Sequence, residues 1–343
     1  MAEKRRVLLT GGTGYIGSHS AVSFVEAGYD VALLDNFSNS SPRVLDRLEQ
    51  ILGQRLKVYE VDVCDEPRLR EALASFSPQA VVHFAGLKAV GESVKEPQRY
   101  YENNVAGTLS LLRAMAAEKV QDLVFSSSAT VYGDPASVPI TEAFPRSATN
   151  PYGRSKLMVE DMLMDLCVSD PGWNIALLRY FNPVGAHNSG LIGEDPTGIP
   201  NNLMPFVTQV AVGRRAKLSV FGGDYPTHDG TGVRDYIHVT DLAEGHVSAL
   251  ASLDRTPDGA PLVVNLGTGK GYSVLETLRA FEKASGCSVP FEIAPRRPGD
   301  VAECYADPSR ARDLIGWEAK LGLDRMCEDA WRWQANNPDG YTS

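Results

Sequence analysis

Thr10-Gly11-Gly12-Thr13-Gly14-Tyr15-Ile16-Gly17 decides the fold. It follows an apolar run from Arg6 to Thr10 that reads as a strand, and it opens an amphipathic helix expected to end at Gly28. Glycines at 11, 14 and 17 let the backbone turn tightly, let a pyrophosphate approach and let the helix pack close on the strand, its N-terminus at the phosphates. A second strand, Val31 to Leu34, ends in Asp35, where a dinucleotide-binding fold places the acid for the adenosine ribose. A carboxylate there stands where a 2′-phosphate would lie, so the predicted cofactor is NAD rather than NADP. The alternative is an acid that merely follows a strand.

Alternation continues beyond this unit. Strands are predicted at Lys57–Val61, Ala80–His83 and Leu123–Ser126, with helices near Pro42–Leu52, Pro67–Ala74 and Tyr100–Glu118 between them. This succession implies an α/β fold, a Rossmann-type doubly wound parallel sheet with ligands at the carboxyl ends of its strands. Asp62, Phe84-Ala85-Gly86-Leu87-Lys88 and Ser126-Ser127-Ser128-Ala129-Thr130 follow three of those strands. Small residues there let a flat cofactor lie close, and a serine hydroxyl can share a proton. Turn chemistry alone is the other reading of the serines.

Tyr152 and Lys156, four apart at the start of a predicted helix Tyr152–Val168, share one face with Cβ atoms roughly 5–6 Å apart. A phenol with a pKa of about 10 is a poor base at neutral pH, and a neighbouring ammonium is expected to pull it down, which makes Tyr152 a candidate proton acceptor. A solvated surface pair is the alternative. This helix and Tyr100–Glu118 carry apolar residues on more than one face, including Leu109, Leu111, Leu112, Met115, Met158 and Met162, so a homodimer through them is expected unless the C-terminal part covers them.

The 343 residues, 43% apolar and 22% charged, suffice for one large domain or two intimate ones. A net charge of -10 argues against nucleic acid or an anionic membrane as partner. Five cysteines, odd in number and without metal-ligand spacing, suggest no disulfide framework and no metal. The short apolar run after Met1 is unlike a secretion signal, and a cytoplasmic protein is expected.

From about residue 181 the chain turns loop-rich, with Glu194-Asp195-Pro196-Thr197-Gly198-Ile199-Pro200-Asn201-Asn202 and Gly222-Gly223-Asp224-Tyr225-Pro226. Arg234 and the Arg296-Arg297-Pro298-Gly299-Asp300 segment are candidate anion contacts, or else solvated surface arginines. The expected division is a dinucleotide-binding domain over 1–180 and a smaller α/β substrate domain over 181–343. Strands at Asp235–Val239 and Leu262–Leu266 are expected to return to the main sheet.

Thr10-Gly-Gly-Thr-Gly-Tyr-Ile-Gly-Ser18, Ser126-Ser-Ser-Ala-Thr-Val-Tyr-Gly133, Tyr152-Gly-Arg-Ser-Lys156, Arg179-Tyr-Phe-Asn-Pro-Val-Gly185 and the arginine segments resemble the extended short-chain dehydrogenases. Phe84-Ala-Gly-Leu-Lys-Ala-Val-Gly-Glu-Ser93 and Pro200-Asn-Asn-Leu-Met-Pro205 narrow the likeness to the branch that inverts C4 of UDP-sugars, from about Val7 to Gly340. The resemblance implies that Tyr152 takes the proton of the sugar C4 hydroxyl, that Ser128 hydrogen-bonds that hydroxyl and that Lys156 holds the nicotinamide ribose. It implies cofactor contacts at Gly11, Gly14, Tyr15, Ile16, Gly17, Asp35, Asn36, Phe37, Ser38, Asn39, Ser40, Asp62, Val63, Phe84, Lys88, Asn103, Ser126 and Phe181. For the UDP-sugar it implies Lys88, Phe181, Asn182, Asn202, Leu203, Ser219, Val220, Phe221, Arg234, Tyr236, Arg297, Asp300 and Cys304. In that branch the position of Cys304 borders the sugar pocket and is either small or a tyrosine.

Two other readings compete. A sugar-nucleotide 4,6-dehydratase shares the cofactor and the Tyr/Lys pair but places an Asp-Glu pair where this chain has Ala129-Thr130. A non-catalytic NAD-sensing module is expected to lose Ser128, Tyr152 or Lys156, and all three are present.

Overall fold

A computed structural model describes residues 4–196, 198, 200–253, 259–297 and 299–342. Thr197 and Ile199 of the first loop above, and Pro298 of the arginine segment, lie outside the described residues. In chain order the strands are β1 (Arg6–Thr10), β2 (Asp30–Asp35), β3 (Lys57–Glu60), β4 (Ala80–His83), β5 (Asp122–Ser128), β6 (Asn174–Tyr180), β7 (Asn182–Val184), β8 (Leu218–Phe221), β9 (Val233–His238), β10 (Leu262–Leu266), β11 (Gly271–Ser273), β12 (Phe291–Ala294) and β13 (Glu303–Cys304).

β1 to β6 and β10 form one all-parallel sheet in the order β10-β6-β5-β4-β1-β2-β3. The chain moves outward from β1 through β2 to β3 and then returns to β4 on the other side, and that reversal opens a crevice at the carboxyl ends. The inner strands are mostly apolar because both faces are covered. Val7, Leu9, Val82 and Val124 face a layer that includes helices Tyr15–Glu26 and Val239–Ala251, while Leu8, Val81, Leu123 and Phe125 face Glu66–Phe76, Gly107–Ala117 and Pro151–Ser169.

Three expectations change. Helix Tyr15–Glu26 is not amphipathic in its setting, since every residue from Gly17 to Phe24 is buried between the sheet and the helix Val239–Ala251. The predicted helix 100–118 is broken: Tyr101–Ala106 is a wide π turn between Pro97–Tyr100 and Gly107–Ala117. The turn brings in Asn104, whose side chain accepts from Leu87 N at 2.8 Å and donates to Ser155 Oγ at 3.0 Å. The strand expected at Asp235–Val239 does not return to the main sheet. As β9 it pairs with β7, β11 and β13 in a second sheet. The buried Asp235 carboxylate pins it there, accepting from Thr268 N and Oγ1, Gly269 N and Ala306 N. Tyr236 on the same strand enters a separate core with helices Leu203–Ala211, Val274–Ser285 and Leu323–Asn336. Leu262–Leu266 does join the main sheet, beside β6.

Local signals explain where the catalytic helix begins. Asn150 Oδ1 accepts from Gly153 N at 2.9 Å and Pro151 takes the first helical position. A buried polar network then locks this helix to the sheet. Arg179 on β6 grips the fully buried Glu160 with Nε at 2.9 Å and Nη2 at 2.8 Å, and Ser127 Oγ donates to Glu160 at 2.6 Å. Arg179 Nη1 also donates to the Tyr132 hydroxyl, which donates to Asn265 Oδ1 on β10.

Candidate active site

The carboxyl ends of β1, β2, β4 and β5 open onto a cleft of about 530 Å³. Gly11 has φ +65°, and a Cβ there would stand 2.7 Å from Ala85 N. A Cβ on Gly17 would stand 2.2 Å from Gly11 O, so helix and strand approach closely because that atom is absent. Gly14 caps the first helix without any side-chain bond, which leaves the N-terminal N–H groups facing the cleft.

Asp35, at the end of β2, is buried, and its Oδ1 accepts from Phe37 N and Ser40 Oγ while Oδ2 accepts from Thr13 N at 3.1 Å. Its partners are neutral, and Oδ2 retains a lone pair for a ribose hydroxyl. Phe37 adopts φ 55° to carry the loop over the carboxylate. Asn36, Ser38, Asn39, Ser40, Val63, Phe84, Lys88 and Asn103 line the same cleft with Gly14, Tyr15 and Ile16. Phe37 and Asp62 do not line it. Asp62 acts at one remove, accepting from Asn36 Nδ2 at 2.8 Å. A tight glycine turn, an uncapped helix N-terminus and a buried ribose acceptor together fit a dinucleotide.

Beyond the floor of the cleft lies the polar cluster around Tyr152. Ser128 lies near enough to Tyr152 to act on its phenol, and it accepts from Thr130 N at 3.2 Å and Thr130 Oγ1 at 3.0 Å. With its lone pairs used by Thr130, the serine keeps only its own proton to give. Lys156 is buried, and its Nζ donates to the Ser126 carbonyl at 2.7 Å and lies 4.8 Å from the Phe125 ring centroid. Burial pushes Lys156 down to about 8, against the attraction of Glu160. The expectation for Tyr152 is reversed in sign, since burial pushes the phenol up and Ser128 opposes it. The i, i+4 spacing says nothing about desolvation, which here decides the direction.

The second sheet brings the other predicted residues together. Register pairs Asn182 with Tyr236 and Arg234 with Cys304, so β7, β9 and β13 set the four in one patch. Asp300 lies 3.9 Å from Arg234 and accepts from Arg297 Nε at 2.9 Å, and the Arg297 guanidinium lies 5.0 Å from the Phe221 ring. The chain passes between the sheets at Phe181, which is buried with Cys304, Val131 and Tyr132. Val220 points into the core, so only its backbone can reach a ligand. Ser219 Oγ turns to Glu292 at 3.5 Å. Leu203 opens a helix whose N-cap Asn202 makes no cap bond, because its Nδ2 donates to Glu194 at 2.7 Å.

Glu194 and Thr130 escaped the sequence reading. Glu194 also accepts from Lys88 at 2.9 Å, joining two predicted contacts from the two halves of the chain. Thr130 carried a signal, the Ser-x-Thr spacing of a hydroxyl turn.

Comparison with known proteins agrees with this geometry. A family model described as GDP-mannose 4,6 dehydratase matches residues 8–330. A UDP-glucose 4-epimerase of Bacillus subtilis is 59% identical over 98% of this chain and 99% of its own, and one of Dictyostelium discoideum is 58% identical over 98% of each. The chain belongs to the UDP-glucose 4-epimerase family. Solved epimerases superpose throughout. That of Stenotrophomonas maltophila, with bound NAD and formylated UDP-arabinopyranose, has a TM-score of 0.94 at 49% identity over 97% of this chain and 99% of its own. That of Bifidobacterium longum, in complex with NAD+ and UDP, has 0.93 at 54% over 98% and 99%. The dehydratase in the broad model's description does not carry over to the site, where Ala129 and Thr130 follow Ser128 and the threonine is committed to that serine.

Proposed function

We propose that this chain interconverts UDP-galactose and UDP-glucose by inverting C4 through a transient 4-keto sugar, with NAD held throughout. The carrying observation is that Tyr152 and Lys156 stand one turn apart on the same helix, with Ser128 near the phenol, at the floor of a dinucleotide cleft. Tyr152 takes the proton from the C4 hydroxyl directly and later returns it, with the Ser128 hydroxyl beside the phenol. NAD held in this cleft would supply a reversible hydride acceptor for C4. Lys156 holds the nicotinamide ribose and supplies positive charge beside the phenolate. Arg234 and Arg297 suit the diphosphate, with Asn182, Asn202, Leu203 and the Ser219–Phe221 backbone around the nucleotide. This assigns most of the NAD contacts to residues 1–180 and most of the UDP-sugar contacts to 181–343. Because the two half-reactions cancel, UDP-galactose should become UDP-glucose with no added NADH. Stoichiometric consumption of reductant, or a product lacking one water, would overturn the reading.

Two finer readings go with it. Cys304 packs with Phe181 and neighbours Arg234, and a thiol leaves room there that a phenol would fill. The pocket then admits the acetamido group of UDP-N-acetylglucosamine and UDP-N-acetylgalactosamine. Cys304→Tyr should cut the N-acetyl reaction tenfold or more, on the scale of about 1–3 kcal/mol for overpacking, and spare UDP-galactose. Equal loss on both substrates, or no N-acetyl activity to begin with, refutes the gate.

The second is a homodimer. Val94 on helix Val90–Lys95, Leu109 on Gly107–Ala117 and Met158 on Pro151–Ser169 are 64%, 38% and 44% exposed, and these helices lie on one side of the sheet. A large apolar area on neighbouring helices favours association. Leu109→Glu with Met158→Glu should halve the mass seen by sedimentation, and a wild-type monomer would rule the surface out. All five cysteines are free and no described helix is long and apolar enough to cross a membrane, which suits the cytoplasm.

A further inference from the structure

Asn202 heads helix Leu203–Ala211 without capping it. An asparagine in that place ordinarily accepts from the N–H groups of the first turn. Here its amide is drawn to Glu194 instead, donating to Oε1 at 2.7 Å. Lys88 Nζ donates to the same oxygen at 2.9 Å, and the ammonium stands 5.9 Å from the ring centroid of Tyr15, the first residue of helix Tyr15–Glu26. One carboxylate oxygen thus joins a residue that follows β4 to a residue that opens a helix more than a hundred positions later. Lys88, Glu194 and Asn202 all line the cleft, and the Glu194 side chain is 10% exposed.

The backbone on either side of Glu194 is fastened to the end of the chain. Tyr341, buried in the turn Gly340–Thr342, accepts from Gly193 N at 3.1 Å and donates to Gly193 O at 3.2 Å, both through its hydroxyl. Its own N–H donates to Asp195 Oδ2 at 2.9 Å. The Tyr341 ring packs on Trp333 with centroids 4.7 Å apart, and a Cβ on Gly193 would stand 2.4 Å from Trp333 Cγ. The residues before and after Glu194 are therefore held closely, which leaves its carboxylate few places to reach. A carboxylate lining a cleft meant for phosphates repels them by charge alone. Its use lies in the two side chains it holds, and none of the steps above draws on Glu194 or Tyr341.

We infer that Glu194 is a positioning residue for both ligands, holding Lys88 for the dinucleotide and Asn202 for the sugar nucleotide with one oxygen, and that Tyr341 fixes it in that place. The identity of the two ligands rests on the epimerase reading above. A hydrogen bond keeps a long side chain in one of its rotamers, so its loss returns Lys88 and Asn202 to several, and each ligand must then order its own contact. Neither side chain takes part in the proton transfer at C4. The effect of losing Glu194 therefore falls on binding and not on the rate of the saturated enzyme.

The test compares Glu194→Ala, Glu194→Gln and Tyr341→Phe with the wild-type holoenzyme. UDP affinity is measured by calorimetry, and NAD loss by the cofactor that remains after dilution and filtration. In Glu194→Ala, UDP should bind about tenfold more weakly and NAD should leave about tenfold faster, the scale of a hydrogen bond to a charged group. KM for UDP-galactose should rise in step, while kcat at saturating substrate and NAD should not fall. Glu194→Gln, whose amide oxygen can still accept from Lys88 and Asn202, should stay within about threefold of wild type on both binding measures. Tyr341→Phe keeps its ring on Trp333 and loses both bonds to Gly193, so it should show both losses in smaller measure. A brace that merely joins two parts of the chain would lower the melting temperature and leave both ligands unmoved, which overturns the inference. A loss confined to one ligand, or a Glu194→Gln no better than Glu194→Ala, overturns it too. If Glu194→Ala does not fold, Tyr341→Phe decides: both losses sustain the inference, and one alone or neither overturns it. Wild type that holds no NAD and binds no UDP fails the epimerase reading itself, whereas wild type that binds both, beside a Glu194→Ala that binds them equally well, fails this inference alone.

Discussion

Tyr152→Phe is expected to lower the turnover of UDP-galactose by about a thousandfold while NAD stays bound, the middle of the range for loss of a general base. The substitution removes one oxygen and keeps the ring, so the packing of the half-buried side chain survives. What disappears is the phenol oxygen itself, and the Ser128 hydroxyl cannot replace it, because Thr130 already occupies its lone pairs through two bonds. The cofactor cleft is built by other residues, chiefly the glycine turn and Asp35, and should not sense the change. Single-turnover kinetics and the NAD content of the purified variant give the two readouts. Near wild-type turnover would remove Tyr152 from its role, and an empty variant would show that the phenol holds the cofactor instead.

What the sequence disclosed about the site was local. The glycine turn, Asp35 after β2 and the Tyr152/Lys156 spacing each sit within a few residues, and short-range geometry governs all three. The features it did not disclose depend on which distant segments meet. β9 reads as a strand, but its membership of the second sheet follows from Asp235 binding backbone at Thr268, Gly269 and Ala306. The helix after Gly14 carries a polar face that would meet water on a bare sheet, yet Ser18, His19 and Ser20 are buried because a helix more than two hundred residues later covers them. Tyr152 shows the same limit in its chemistry, since spacing reports the neighbouring charge and not the burial that opposes it.

Arg179→Leu should cost about 3–5 kcal/mol of stability, because it leaves a buried carboxylate without its partner. Glu160 is fully buried, and the Arg179 side chain is 4% exposed, so neither can exchange the other for water. Ser127 still donates to Glu160, and Arg146 lies 3.4 Å away, but Arg146 is more exposed and already held by Asp161 at 2.8 Å. The loss also strands the Tyr132 hydroxyl that Arg179 supports, loosening the tie from β6 to Asn265 on β10. Urea denaturation should show the drop as a lower midpoint. Adding Glu160→Leu should restore much of it, since two apolar side chains remove the buried charge that made the single change so damaging. If the double variant is no more stable than Arg179→Leu, the cost comes from packing around Arg179 and not from the unpaired carboxylate. Recovery of stability should not bring recovery of rate, however, because Glu160 is also the carboxylate that favours the charged form of Lys156. The double variant should therefore fold well and still lose turnover at a lower pH than wild type, which separates the two tasks of one carboxylate: holding the helix to the sheet and keeping Lys156 charged.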